Sequence, residues 1–182
     1  MAATFVWEET NGTTGSPTTS TPTNYDWKNI ADSTTAYTAS PITAGNNSFG
    51  KWIYGKFTTG TFNNLLNGKW SHTAGTIDAN TTLWGAPTMT ADANRLTFAT
   101  PSTTLKETGT VLTDDMSTIV AIASGKTVYF GSTSASASGK AATVDGSATR
   151  YTNYLTTQLA TTASATAGTS TALTITLQYD EN

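Results

Sequence analysis

The chain ends on its most constraining feature. From Thr171 onward, Leu173, Ile175, Leu177 and Tyr179 alternate with Thr and Gln until the run stops at Asp180-Glu181-Asn182. Side chains of an extended backbone point alternately to opposite faces, so apolar residues at strict period two commit one face of a strand to a core. The other face carries hydroxyls and an amide, which suit water or a partner. A chain that closes on such a strand belongs to a β protein.

The remaining composition fits that reading. Thr is the commonest residue, and its branched Cβ favours extended backbone while its hydroxyl tolerates solvent. Hydrophobic residues make up 37% and aromatics 10%, with five Trp and seven Tyr, which is enough apolar material for a core. Charged residues reach only 12%, against roughly 25% in an average soluble domain. The net charge of -3 provides no field to gather nucleic acid or an anionic membrane, so neither is expected as a partner. A surface poor in Lys and Glu also lacks the usual guards against edge-to-edge pairing of strands, so companion subunits are expected to cover some edges.

Cysteine is absent, which excludes disulfides, thiolate metal sites and a cysteine nucleophile. The first nine residues show no basic leader or long apolar stretch, and no run approaches the ~20 apolar residues of a membrane helix. Neither a secretion signal nor a membrane span is expected.

Along the chain, residues 4–7 read as a short strand. Residues 10–23 hold no apolar side chain and are punctuated by Gly12, Gly15, Pro17 and Pro22, the pattern of a linker. Residues 1–24 are therefore expected as an N-terminal arm, and residues 25–182 as a single β domain. Gly45-Asn46-Asn47 reads as a turn. Lys51-Trp52-Ile53-Tyr54-Gly55-Lys56-Phe57 reads as a strand with Trp52 and Tyr54 on one face, Ile53 and Phe57 on the other, and both faces covered. Leu65-Leu66 suits either a short helical turn or a tight corner. Leu83-Trp84 and Leu96-Thr97-Phe98 read as short strands, residues 119–123 and 127–130 as a hairpin, and residues 131–148 as an exposed loop. In residues 151–159, Tyr151, Tyr154, Leu155, Gln158 and Leu159 also fit helical spacing, but the Thr content favours a strand, expected to pair with the terminal one. Seven or more short strands divided by turn signals imply a mainly β fold, a β-sandwich or jelly-roll-like domain.

Chemistry is sparse. His72 is the only histidine, and no serine or carboxylate stands out in sequence to complete a triad, so a hydrogen-bonded structural or interface role is expected. Asp114-Asp115, Asp78-Ala79-Asn80 and Asp92-Ala93-Asn94 read as turns, because no loop of alternating oxygen ligands with a closing Glu is present. Gly125-Lys126-Thr127 imitates the end of a phosphate loop, but Val120 stands where that motif needs Gly. No enzyme activity, cofactor or metal is expected. Aromatic side chains offer large contact area at low entropy cost, which makes Phe5, Trp7, Trp27, Trp52, Tyr54, Trp70 and Trp84 the candidates for an interface; core packing is the other reading, and a glycan platform that would include Tyr25 and Tyr37 is a third.

The threonine-rich strands, the segment Ser40-Pro41-Ile42-Thr43-Ala44-Gly45-Asn46-Asn47-Ser48-Phe49 running into Lys51 to Phe57, and the acidic ending after Leu173 resemble virion structural proteins of tailed bacteriophages, closest in style to capsid decoration or cement proteins. The resemblance implies a homo-oligomer, expected as a trimer, seated on the outer capsid surface and holding neighbouring major capsid proteins together. A tail, collar or head-fibre component, or a glycan-binding adhesin module, is the alternative expectation.

Overall fold

A computed structural model describes residues 3–60, 62–86, 98, 100–104, 112, 114–132, 140–166 and 172–182. The chain is mainly β, with two antiparallel sheets arranged as a sandwich. Its strands are β1 (Phe5–Thr13), β2 (Ser16–Ser20), β3 (Lys51–Phe57), β4 (Asn64–Ala74), β5 (Thr81–Gly85), β6 (Asp114–Asp115), β7 (Lys126–Thr127), β8 (Phe130–Gly131), β9 (Lys140–Ala141), β10 (Val144–Asp145), β11 (Arg150–Thr152), β12 (Leu155–Thr161) and β13 (Thr174–Glu181).

The larger sheet runs β6-β5-β12-β3-β11-β8-β9, with β1 on the other side of β3 and β2 folded back on β1. The smaller sheet runs β10-β4-β13, with β7 also on β4. The strand β3 is the spine of the larger sheet: β12 pairs with its Lys51–Ile53 half, β11 with its Lys56–Phe57 half, and β1 runs along its opposite side. The Trp, Ile, Tyr and Phe of β3 favour a pleated surface packed on both sides. Both faces are covered as expected. Trp52 and Tyr54 meet Tyr154 at ring separations of 5.1 and 5.7 Å, while Phe57 turns the other way toward the second sheet.

Phe57 closes one end of the sandwich. Its ring lies 4.8 Å from Tyr179 of β13, 5.0 Å from Phe5, 5.7 Å from Phe130 and 6.3 Å from Phe62. Each such pair adds about 0.5–1.5 kcal/mol beyond the area it buries. Gly55 allows the close fit, because a Cβ there would stand 2.6 Å from the Phe5 ring. His72 ties the sheets at another point. Its Nδ1 lies 3.0 Å from the Met116 carbonyl and its Nε2 2.8 Å from that of Ala74, and the Met116 amide in turn donates to Leu83 of β5.

Several local expectations are corrected. Residues 10–23 do not form a linker here: β1 and β2 make a hairpin across Thr14-Gly15, with Thr13 opposite Ser16 and Glu9 opposite Ser20. Phe5 to Thr10 pair with β3, so most of the expected arm is built into the chain's own sheet. That hairpin is held by backbone pairing and hydroxyl contacts, such as the Thr14 amide to Thr100 Oγ1 at 2.8 Å, rather than by an apolar face. The terminal strand pairs with β4 and not with residues 151–159, which divide into β11 and β12 and join the larger sheet. Residues 119–130 form no hairpin. Ile122–Ser124 is a 3-10 turn, Lys126–Thr127 joins β4 and Phe130–Gly131 joins β11. Leu65 and Leu66 lie in β4 and form no helical turn. The expected loop at 131–148 carries β9 and β10. Leu96-Thr97 and Asp92-Ala93-Asn94 lie outside the described residues.

The chain crosses between sheets at residues 146–149, and the crossing is pinned by charge. Arg150 of β11 donates through Nε to the Asp145 carbonyl at 2.7 Å and through Nη2 to its carboxylate at 2.5 Å. The Ser147 hydroxyl and amide also donate to that carboxylate, and with Arg150 they hold it down to about 2, below the ordinary 3.8. A carboxyl depressed by folding stabilises the fold above its ordinary value, and that contribution disappears as pH falls through about 2. A carboxyl-detected NMR titration is expected to place the Asp145 midpoint near 2, and Ser147→Ala to move it back toward the ordinary carboxylate range.

Candidate functional site

The register of the larger sheet sorts the aromatic candidates into two groups. Directly opposed residues share a face, so Phe5, Trp7, Glu9, Lys51, Ile53, Leu155 and Leu159 face the smaller sheet, while Thr10, Trp52, Tyr54, Thr156, Gln158 and Trp84 face away from it. The structure therefore separates the seven candidates. Trp52 is fully enclosed by Phe98 and Tyr154. Tyr54 is buried, and its hydroxyl donates to Glu8 at 2.5 Å. Burial, reinforced by that carboxylate, pushes the phenol well above its usual range. Trp84 is half-buried on the same outward face. Phe5 belongs to the closed end around Phe57.

Trp7, Trp27 and Trp70 all lie toward the other end, Trp70 as a buried core side chain and the other two half-buried. A groove of about 1390 Å³ opens there. One wall is the larger sheet, with Trp7, Ile53, Leu155 and Leu159; the other is the smaller sheet, with Trp70, Ile175 and Leu177. Irregular chain at 25–27 and 41–44, with Tyr37, forms the mouth. Trp27 is anchored by its indole N–H, which donates to Thr157 Oγ1 at 3.1 Å. Tyr25 is 43% exposed.

The polar lining includes threonines, Asp26, Asp78 and Lys51, and Lys51 reaches the groove as one half of an ion pair. Lys51 Nζ lies 2.8 Å from Glu9 Oε2, and both side chains are buried. Asn11 Nδ2 donates to the second Glu9 oxygen at 3.1 Å. Burial lowers the Lys51 ammonium below its usual range, against the opposing pull of Glu9. Sequence reasoning missed this pair because its members stand 42 residues apart and neither belongs to a recognisable motif. Tyr25 and Tyr37, named with the tryptophans as platform or interface aromatics, do line the groove, whereas Ile42 was missed because a loop's packing partner is not written in its local pattern.

His72 is buried, and both ring nitrogens lie at hydrogen-bonding distance from backbone carbonyls, which leaves neither nitrogen open toward the groove. Among the described residues, no group of three or more His, Asp or Glu is placed to hold a metal ion. Among the described residues, no helix is long and apolar enough to cross a membrane. Compared with protein-family models, with curated proteins and with solved structures, the chain matches none.

The groove thus offers apolar contact, aromatic edges, threonine hydroxyls, two carboxylates and a lysine paired with Glu9. Removing one member of a buried pair strands the other charge and costs roughly 3–5 kcal/mol, while replacing both by apolar groups is close to neutral. Chemical denaturation of Glu9→Leu is expected to show a loss of that size, and Glu9→Leu combined with Lys51→Met to recover most of it.

Proposed function

We propose that this chain is a non-enzymatic structural protein of a tailed-bacteriophage virion, a decoration or cement protein on the outer capsid surface. It associates with itself, as a trimer, and with the major capsid protein. One observation supports an assembling role above others: β13 is an eight-residue edge strand with no partner on its outer side among the described residues, and it borders an open apolar groove. Unpaired edges and uncovered apolar surface are costs that a companion polypeptide removes. The resemblance of the threonine-rich strands and of the segment from Ser40 to Phe57 to virion proteins supplies the biological setting. Repeated over a shell, contacts of modest individual strength give large avidity, which suits a protein that stabilises a pressurised capsid.

The second reading is a glycan-binding module. The observation in its favour is the cluster of Tyr25, Trp27 and Tyr37 beside the Asp26 carboxylate at the groove mouth. The fully enclosed Trp52 offers no sugar platform.

Electron microscopy of purified particles carrying the labelled protein tests the leading reading. Many copies distributed over the shell are expected, together with lower capsid heat resistance when the protein is absent. A few copies at one vertex would assign it to the tail, collar or head fibre instead, and its absence from particles would refute a virion role.

A further inference from the structure

Four consecutive residues of β13, Thr174 to Leu177, line the groove together with Leu173 just before the strand. Side chains of a strand alternate between faces, so a cavity that touches both sets lies along the strand's edge as well as over one face. The backbone N–H and C=O groups on that edge have no strand partner among the described residues. Bulges are a common way to spoil such an edge. Here both register shifts place the extra residue in β4: Thr73 near one end, and the Asn67-Gly68 step, with Asn67 at φ +55°, near the other. The stretch Ile175–Gln178 between them is regular and uncharged.

Shape and charge narrow the occupant. At about 1390 Å³ the groove exceeds the ~300–1,000 Å³ usual for small ligands. A row of backbone donors and acceptors is satisfied by another extended backbone, whose side chains then enter the groove at every second position. Among the described lining residues the one cation is Lys51, which pairs with Glu9 and is also drawn by Asp26. Asp26 and Asp78 also line it, and among the described residues neither takes part in an ion pair. The unbalanced charge is negative.

We infer that the edge of β13 receives an extended strand from another polypeptide, apolar at alternate positions and carrying a Lys or Arg that meets Asp26 or Asp78. Backbone pairing along Ile175–Gln178 supplies the register, the aliphatic walls select alternate side chains, and the carboxylates set orientation. This deepens the proposed role and rests on it in one respect, that the chain acts by holding other polypeptides. For the virion reading, the donor strand is a segment of the capsid lattice.

A displayed library of random dodecapeptides, panned against the purified full chain, tests the inference without any virion. Enriched peptides are expected to alternate apolar residues and to carry Lys or Arg. Leu177→Asp should weaken the best of them by about tenfold or more. Because Leu177→Asp places a charge in the groove wall and can disturb folding, Asp26→Asn with Asp78→Asn serves as the second variant. It leaves the apolar walls intact and is expected to weaken binding by about threefold and to flatten its salt dependence. No enrichment, peptides without alternation, or affinities indifferent to both variants would overturn the inference. So would glycan-array binding abolished by Trp27→Ala in place of peptide binding. Absence of the protein from particles, with peptide selection intact, would sink the virion reading alone.

Discussion

Phe57 is where the two sheets are fastened, and the asymmetry of the molecule follows from it. The ring sits among Phe5, Phe62, Phe130 and Tyr179, so residues from both sheets and from three separate parts of the chain converge on one side chain. Aromatic edge-to-face contacts are directional, and they fix the sheets at that end. Four residues back along β3, the same face carries Ile53, which lines the groove. One strand thus runs from a closed core to an open binding surface. The ion pair of Glu9 and Lys51 lies at the open end, where polar groups can be enclosed without interrupting the aromatic cluster.

Much of the architecture was legible where the pattern is local. The alternation of Leu173, Ile175, Leu177 and Tyr179 identified β13, and its apolar face is half-buried as that alternation requires. Lys51 to Phe57 declared a strand covered on both sides, and the ring contacts of Trp52 and Phe57 on opposite faces agree. Pairing partners were not legible. Nothing in residues 151–159 distinguishes β3 and β5 from β13 as a neighbour, because any half-apolar strand satisfies the same local rule. The β1–β2 hairpin was hidden for the opposite reason: a stretch with no apolar residue reads as linker, although Thr and Ser hydroxyls and backbone pairing hold it. Lys126–Thr127 pairs with β4 because Gly125 lets the chain pass close to the Trp70 carbonyl, where a Cβ would stand 2.4 Å away.

The candidate site was half legible. Residue type alone singled out the tryptophans, and Trp7, Trp27 and Trp70 do share the groove. Type alone could not separate them from Trp52, Tyr54 and Trp84, since the side a residue faces depends on register, and register is set by partners far along the chain. The surface that matters most to the proposed role is mainly backbone, the free edge of β13, and backbone leaves no signature in residue identity beyond the uncharged Thr174 to Gln178. The scarcity of Lys and Glu noted in the sequence has its structural counterpart there.

To receive a strand, β13 must be paired on one side only in the isolated chain, and hydrogen exchange resolved by residue measures that directly. At concentrations where the chain is monomeric, amides of Ile175–Gln178 are expected to alternate between slow exchange, where they point to β4, and fast exchange, where they point outward. The β3 amides, flanked on both sides, should be protected throughout. Uniform protection across Ile175–Gln178 in the monomer would mean that the edge is already covered, and would contradict the account.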